Sequence, residues 1–341
     1  IALGSGNGSA GATSGEASLV STTGAVTGGT GLVSGSAVAL SGASGVGASG
    51  TPIRLGATVV AAASSGGAVY LRGTGALTVS TLQTISTATY GGGAATQITG
   101  LSSTPSRVAV QLSGDLTVVS DVTAGTDVYL VSTGGAVTLN GGNVASTSNS
   151  GNVALCANGT IGLGSSNVTA GATTGEASLV SATSSITDTT GVVSGHAVAL
   201  LASTGMGASG APIRISTPLV AASTTTGGIY LYNTGVLNVG TLQTLDTSAL
   251  GGAAAVTIAG LTTSGDLALA STGTLTISSA ITGDADIYLV SSGGGVTLNG
   301  VDVTTTSGNG NVAVHANNQI SLDGSTVSYT HLRAHETRED L

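Results

Sequence analysis

The sequence predicts an all-β fold, a three-faced parallel β-solenoid with coils of about 20–25 residues and longer excursions between some of them. Three observations carry this. Residues 1–20 return almost unchanged as residues 161–180, 160 positions on. Short strands with alternating apolar residues recur inside each copy, and no long helical period competes with them. The composition fits a narrow core: 57 of 341 residues are Gly, and Phe and Trp are absent.

The copies divide the chain. Residues 1–160 form the first, 161–319 the second, and 320–326 open a third. The stretch Asp127-Val128-Tyr129-Leu130 matches Asp286-Ile287-Tyr288-Leu289 at a spacing of 159, so the second copy has lost one residue upstream of that point. Within a copy, strand starts such as Ser18, Val38, Val69, Val108, Val128 and Val153 lie 20, 31, 39, 20 and 25 residues apart. The 39-residue step is long enough to hold an extra turn around Thr96-Gln97-Ile98-Thr99.

Each unit of about 20–25 residues carries three β pieces, as in Val128/Leu130, Val137/Leu139 and Val144. Alternate residues point inward, as on a strand with one buried face. Gly, Ser, Thr and Asn fill the corners, where tight turns call for positive φ or side-chain-to-backbone bonds. Coils about 4.8 Å apart stack a rough dozen of these units into a rod on the order of 60 Å long. No coil buries its apolar face alone, so stability comes from stacking.

Charge excludes several functions. Charged residues make up 6% of the chain, against about 25% in ordinary domains, yet abundant Val, Ile and Thr argue for order. The net charge of −9 and the absence of Lys argue against nucleic acid, which needs clustered cations. No apolar run reaches the roughly 18 residues of a membrane-spanning helix. Cys156 is the sole cysteine, so no internal disulfide can form.

A motif stands out in both copies: Gly50-Thr51-Pro52-Ile53-Arg54 before Gly66-Gly67-Ala68-Val69-Tyr70-Leu71, and Gly210-Ala211-Pro212-Ile213-Arg214 before Gly227-Gly228-Ile229-Tyr230-Leu231-Tyr232-Asn233-Thr234-Gly235. This series resembles the repeat region of large bacterial exoproteins of the filamentous-haemagglutinin and autotransporter-adhesin type, over residues 1–326. The resemblance implies a right-handed parallel β-helix, export across a Gram-negative envelope to the outer surface, and an adhesive or surface-structural role. It also implies contact with a host or neighbouring cell surface or its glycans. The motif itself predicts a lateral bulge at Pro52–Arg54 and Pro212–Arg214 that rejoins the rod at the Gly-Gly pairs, and this bulge is the first place to look for recognition.

The ends carry expectations of their own. Residues 327–341 (VSYTHLRAHETREDL) break the style of the chain, resemble a translated sequencing-library adapter, and are expected to be unstructured. The remainder is expected to be an internal slice of a longer gene, with any signal peptide outside it. Cut coils at both ends predict edge-to-edge self-association.

The residues able to carry chemistry point to structural work. Cys156 faces His315 at the equivalent position and His196 replaces Ser36, which suits packed or corner residues. Asp115, Asp121, Asp246, Asp266 and Asp284 occur in one copy only, and Asp284-Ala285-Asp286 is the densest carboxylate pair. A glycan-cleaving enzyme needs two carboxyls in a set separation, and Asp284 and Asp286 fall at a predicted corner. No catalytic, cofactor-binding or metal-binding residue is therefore assigned, and no cofactor. The calcium-binding Gly-Gly-x-Gly-x-Asp nonapeptide is missing, and Leu139-Asn140-Gly141 and Leu298-Asn299-Gly300 suit Asn-Gly turns. Glu16/Glu176, Arg54/Arg214 and Asp127/Asp286 recur as corner caps or cross-coil ion pairs, and Asn152/Asn311 as corner asparagines. Tyr70/Tyr230 and Tyr129/Tyr288 sit at outward strand positions, where a ring stacks on a sugar or on its neighbour. An ice-binding threonine ladder is expected to be broken by the unequal coil lengths. The reading is a structural or adhesive stalk and not an enzyme; the alternatives are a β-helical carbohydrate-active enzyme and a passive surface-layer or biofilm-matrix element.

Overall fold

The computed structural model describes residues 1–328. It is a parallel β-solenoid, as the repeat predicts. Alternation drives it: in Val108–Leu112 the side chains of Val108, Val110 and Leu112 are buried in the core, and Gln111 faces outward. Identical layers stack, so Leu71, Val110, Leu130, Leu155, Leu179 and Leu200 follow one another in register up one face. Each apolar side chain covers the one below it, and a single continuous core runs through the rod.

The third copy extends further than expected. Val303 and Thr304 pair with Val327 and Ser328. Val327 stands where Val168 stands one copy earlier, and packs against the core. The repeat thus runs through Ser328, two residues past the predicted boundary, because Val327 offers the next rung the apolar side chain it needs. The rest of the adapter-like segment lies outside the described residues.

The 31-residue step is not a bulge that rejoins at Gly66-Gly67. The only excursion at the motif is a tight turn closed by antiparallel pairing of Ala48 with Thr51, and of Ala208 with Ala211. Immediately after it, Ile53–Gly56 and Val59–Ser64 are ordinary strands, with Ile53 and Leu55 in the core. The step is long because it holds one coil plus one further strand.

That extra strand shifts the architecture sideways. Val69–Gly73 takes over from two earlier strands at once, pairing at Val69 with Val46 and at Leu71 with Ile53. Conversely, Val59–Ser64 is followed by two strands, Leu77–Val79 and Leu101–Ser103. The second copy repeats this: Ile229–Asn233 succeeds both Gly205–Met206 and Ile213–Ser216, while Leu219–Thr224 is followed by Leu237–Val239 and Leu261–Thr263. The nineteen solenoid strands from Val69–Gly73 through Leu219–Thr224 make six coils of three and one strand over. The series of long strands moves to the neighbouring face once per copy.

The 39-residue step also differs from the extra turn expected. Residues 81–99 leave the rod as an antiparallel hairpin, Thr81–Gln83 against Gln97–Thr99, with a single 3-10 turn at Ala88–Tyr90 near its tip. Residues 241–259 do the same, with Ser248–Leu250 at the tip. Gly91 and Gly251 close the tips at φ 78° and 74°, a left-handed conformation that favours glycine. These two arms lie flat on the outside of the long strands, pointing back toward earlier coils.

Candidate functional site

A glycan-cleaving reaction would need a pair of carboxyls, and the corner carboxylates are instead engaged with the backbone. Asp121 Oδ1 accepts the backbone N–H of Asn143 at 2.8 Å, Asn143 Oδ1 accepts that of Asn167 at 2.9 Å, and Asn167 Oδ1 accepts that of Val192 at 3.0 Å. A second corner repeats the device: Asp127 Oδ1 accepts Asn152 N–H at 3.0 Å, and Asn152 Oδ1 accepts Glu176 N–H at 2.9 Å. Each side chain thus satisfies a backbone donor one coil on, where the corner leaves it without a sheet partner.

Glu16 and Glu176 do not act as the corner caps or ion-pair partners expected of them, since the Oε1 of each finds no hydrogen-bond partner, but several other acidic residues are engaged. Asp115 accepts from Ala136 N–H, and Asp246 caps the second arm's tip through Ser248 N–H. Asp286 accepts from the backbone and side chain of Asn311 and from the Tyr288 hydroxyl. These donors, the Asn311 backbone foremost, hold the Asp286 carboxyl below its usual range. Asp284 instead engages the Thr306 hydroxyl. The two members of the densest pair therefore hold different partners within one corner of the next coil.

The structure separates the parts of the Pro-Ile-Arg motif. Arg214 turns to the preceding coil, where its guanidinium donates to the Thr189 carbonyl and lies 3.8 Å from the buried Asp188. Burial still pushes the Asp188 carboxyl up, against the lowering effect of hydrogen bonds from Arg214 and Gly191 N–H. Arg54 and Arg72 face each other on adjacent coils beside Pro52. His196 is an exposed corner residue whose carbonyl accepts from the Thr217 hydroxyl. Asn140 and Asn299 precede Gly141 and Gly300, both at positive φ, as Asn-Gly turns require.

Pro212 does meet the tyrosines. With Tyr230, Tyr232, Ala270, Tyr288 and Val290 it walls an outward groove of about 450 Å³. Tyr230 donates its hydroxyl to Asp266 at 3.1 Å. Burial and the Asp266 charge raise the Tyr230 phenol above its ordinary value. The first copy holds Arg107 in place of Asp266; its guanidinium lies 5.3 Å from the Tyr129 ring centre and pairs with Asp127 at 3.0 Å. There the corresponding groove, between Pro52, Tyr70, Arg72 and Gln111, is reduced to about 120 Å³ because Ala249 and Leu250 of the second arm occupy it.

The arms are what the sequence reading missed. Ile98 of the first packs on Ala39 and Ala61, and Leu250 and Ala253 of the second pack on Val131, Cys156 and Val180. The signal was present as alanine at outward strand positions 39, 61, 199 and 221, all fully buried. At Ala39 and Ala61 the small side chain leaves room for Ile98 of the arm above.

The threonine ladder also behaves differently from expectation. Thr78, Thr117 and Thr138 stand in register up one face despite the 39-residue step, because the extra residues leave as the arm. The ladder ends at Gly162, where the sequence supplies no hydroxyl.

Among the described residues no three His, Cys, Asp or Glu side chains converge as a metal site, and no helix is long and apolar enough to cross a membrane. No family model, curated protein or solved structure matches the chain.

Proposed function

We propose that this chain is a structural and adhesive stalk segment of a secreted or surface-displayed bacterial exoprotein, working at the cell surface or Gram-negative outer membrane. The observation that supports this is the employment of its acidic side chains: Asp115, Asp121, Asp127 and Asp286 all cap backbone donors of the next coil. These four carboxylates help to build the rod. Outward on an arm-free side stand hydroxyls in short rows such as Thr78, Thr117 and Thr138. Repeated weak contacts to a host or neighbouring cell surface or its glycans would add through multivalency along such a rod.

Binding of the full chain to glycan arrays and to intact cells tests the adhesive part. Binding that falls when Thr117 and Thr138 are both replaced by Ala supports it. Binding to no glycan and no cell would leave a passive surface-layer or matrix element. Polysaccharide turnover abolished by Asp284→Asn or Asp286→Asn would replace the stalk with an enzyme.

A further inference from the structure

The second arm joins the two copies. Its base is pinned within its own copy, where Leu245 N–H donates to Ser178 Oγ at 3.1 Å. Its tip reaches back into the first copy, where Leu250 and Ala253 pack on Val131 and Cys156 and Ala249 and Leu250 fill the groove beside Tyr70. The first arm has the same base: Ile85 N–H donates to Ser18 Oγ at 3.2 Å. Its tip has the same internal build, with Tyr90 N–H and Gly92 N–H on the Thr87 carbonyl as Leu250 and Gly252 are on Thr247. Yet Tyr90, the counterpart of Leu250, is 92% exposed.

The surface that such a tip fits exists at the other end of the chain. The groove of Pro212, Tyr230, Tyr232 and Tyr288 is the second copy's version of the one that Leu250 fills. Val290 corresponds to Val131, and exposed His315 to Cys156.

We propose that this face is an interface for a second copy of the chain: the arm at 81–99 of one molecule docks its Tyr90 tip into the Tyr230–Tyr232–Tyr288 groove of another. The arm then does between molecules what its twin does between copies. Because its tip is already shaped, docking demands little ordering.

The internal contact fixes where a cross-link should form. Ala253 N–H lies 3.4 Å from Cys156 Sγ, and the equivalent positions are Gly93 and His315. A side chain at Gly93 meets nothing within 4 Å. In a Cys156→Ala background, Gly93→Cys and His315→Cys proteins are mixed in equal amounts and oxidised. The mixed disulfide dimer should dominate over both like-with-like dimers; a statistical mixture, or monomer alone, overturns the proposal. Sedimentation of the otherwise unaltered chain with Tyr90→Asp gives the second reading, its β content checked by circular dichroism. Self-association should weaken at least about tenfold, as for loss of a central aromatic anchor. Association unchanged by Tyr90→Asp, or absent from the unaltered chain, overturns it as well.

Discussion

Ala253 and Cys156 stand 97 residues apart in sequence, yet the Ala253 amide donates to the Cys156 sulfur at 3.4 Å. The sulfur lies under the second arm, among Val131, Val180 and Leu250. Its accessibility therefore reports whether the arm is seated. Replacing Leu250 with Ala removes apolar burial worth about 1.5 kcal/mol, which should raise the open fraction of the arm about tenfold. Thiol labelling of Cys156 under native conditions should accelerate by that factor while the β spectrum stays constant. An unchanged labelling rate would show that the thiol is reached by some route other than arm opening.

The same arm shows where sequence reading stops. Alternation in Val128-Tyr129-Leu130 identifies a solenoid strand because its neighbours one coil away carry the same pattern. The arm strands Thr81–Gln83 and Gln97–Thr99 alternate as well, with Leu82 and Ile98 turned to one side. Period alone cannot tell a strand facing the core from one facing the outside of the rod. The 39-residue spacing revealed the surplus residues but not their direction. Corner capping was legible because Asp and Asn recur where strands end. The groove was not, since Pro212, Tyr230 and Tyr288 meet only after the long strands change face.

Glu176 gives the rod a pH dependence. Burial raises its carboxyl from 4.5 to about 7, and its Oε1 has no hydrogen-bond partner. A raised carboxyl pKa means that the folded chain holds the proton more tightly than the unfolded one. The associated stability is full below pH 4.5 and is lost as pH rises through about 7. Thermal unfolding followed from pH 4 to 8 should therefore show a decline that Glu176→Gln flattens, with the variant melting higher than the parent at pH 8. Identical profiles for the two proteins would place the ionised carboxylate in water.

Asn152 is the middle of a corner chain, accepting Glu176 N–H through Oδ1 while its own N–H is taken by Asp127. Asn152→Ala leaves the Glu176 N–H without its acceptor, at a cost of about 1 kcal/mol. Asn152→Asp keeps an oxygen in that place and should lie closer to the parent in urea unfolding. Equal losses for both variants would assign the effect to packing at the corner and not to the hydrogen bond.

Arg54 and Arg72 place like charges directly opposite on adjacent coils, both exposed. The second copy resolves the same position with Arg214 opposite Tyr232. Directly opposed like charges destabilise a strand pair by about 0.5 kcal/mol, and the penalty shrinks with salt. Arg72→Tyr copies the second repeat's solution into the first and should raise the urea midpoint at low ionic strength. The gain should diminish at 0.5 M NaCl, roughly beyond the range at which exposed charges interact. A gain that is the same at both salt concentrations would come from the tyrosine ring packing beside Pro52 and not from relief of repulsion.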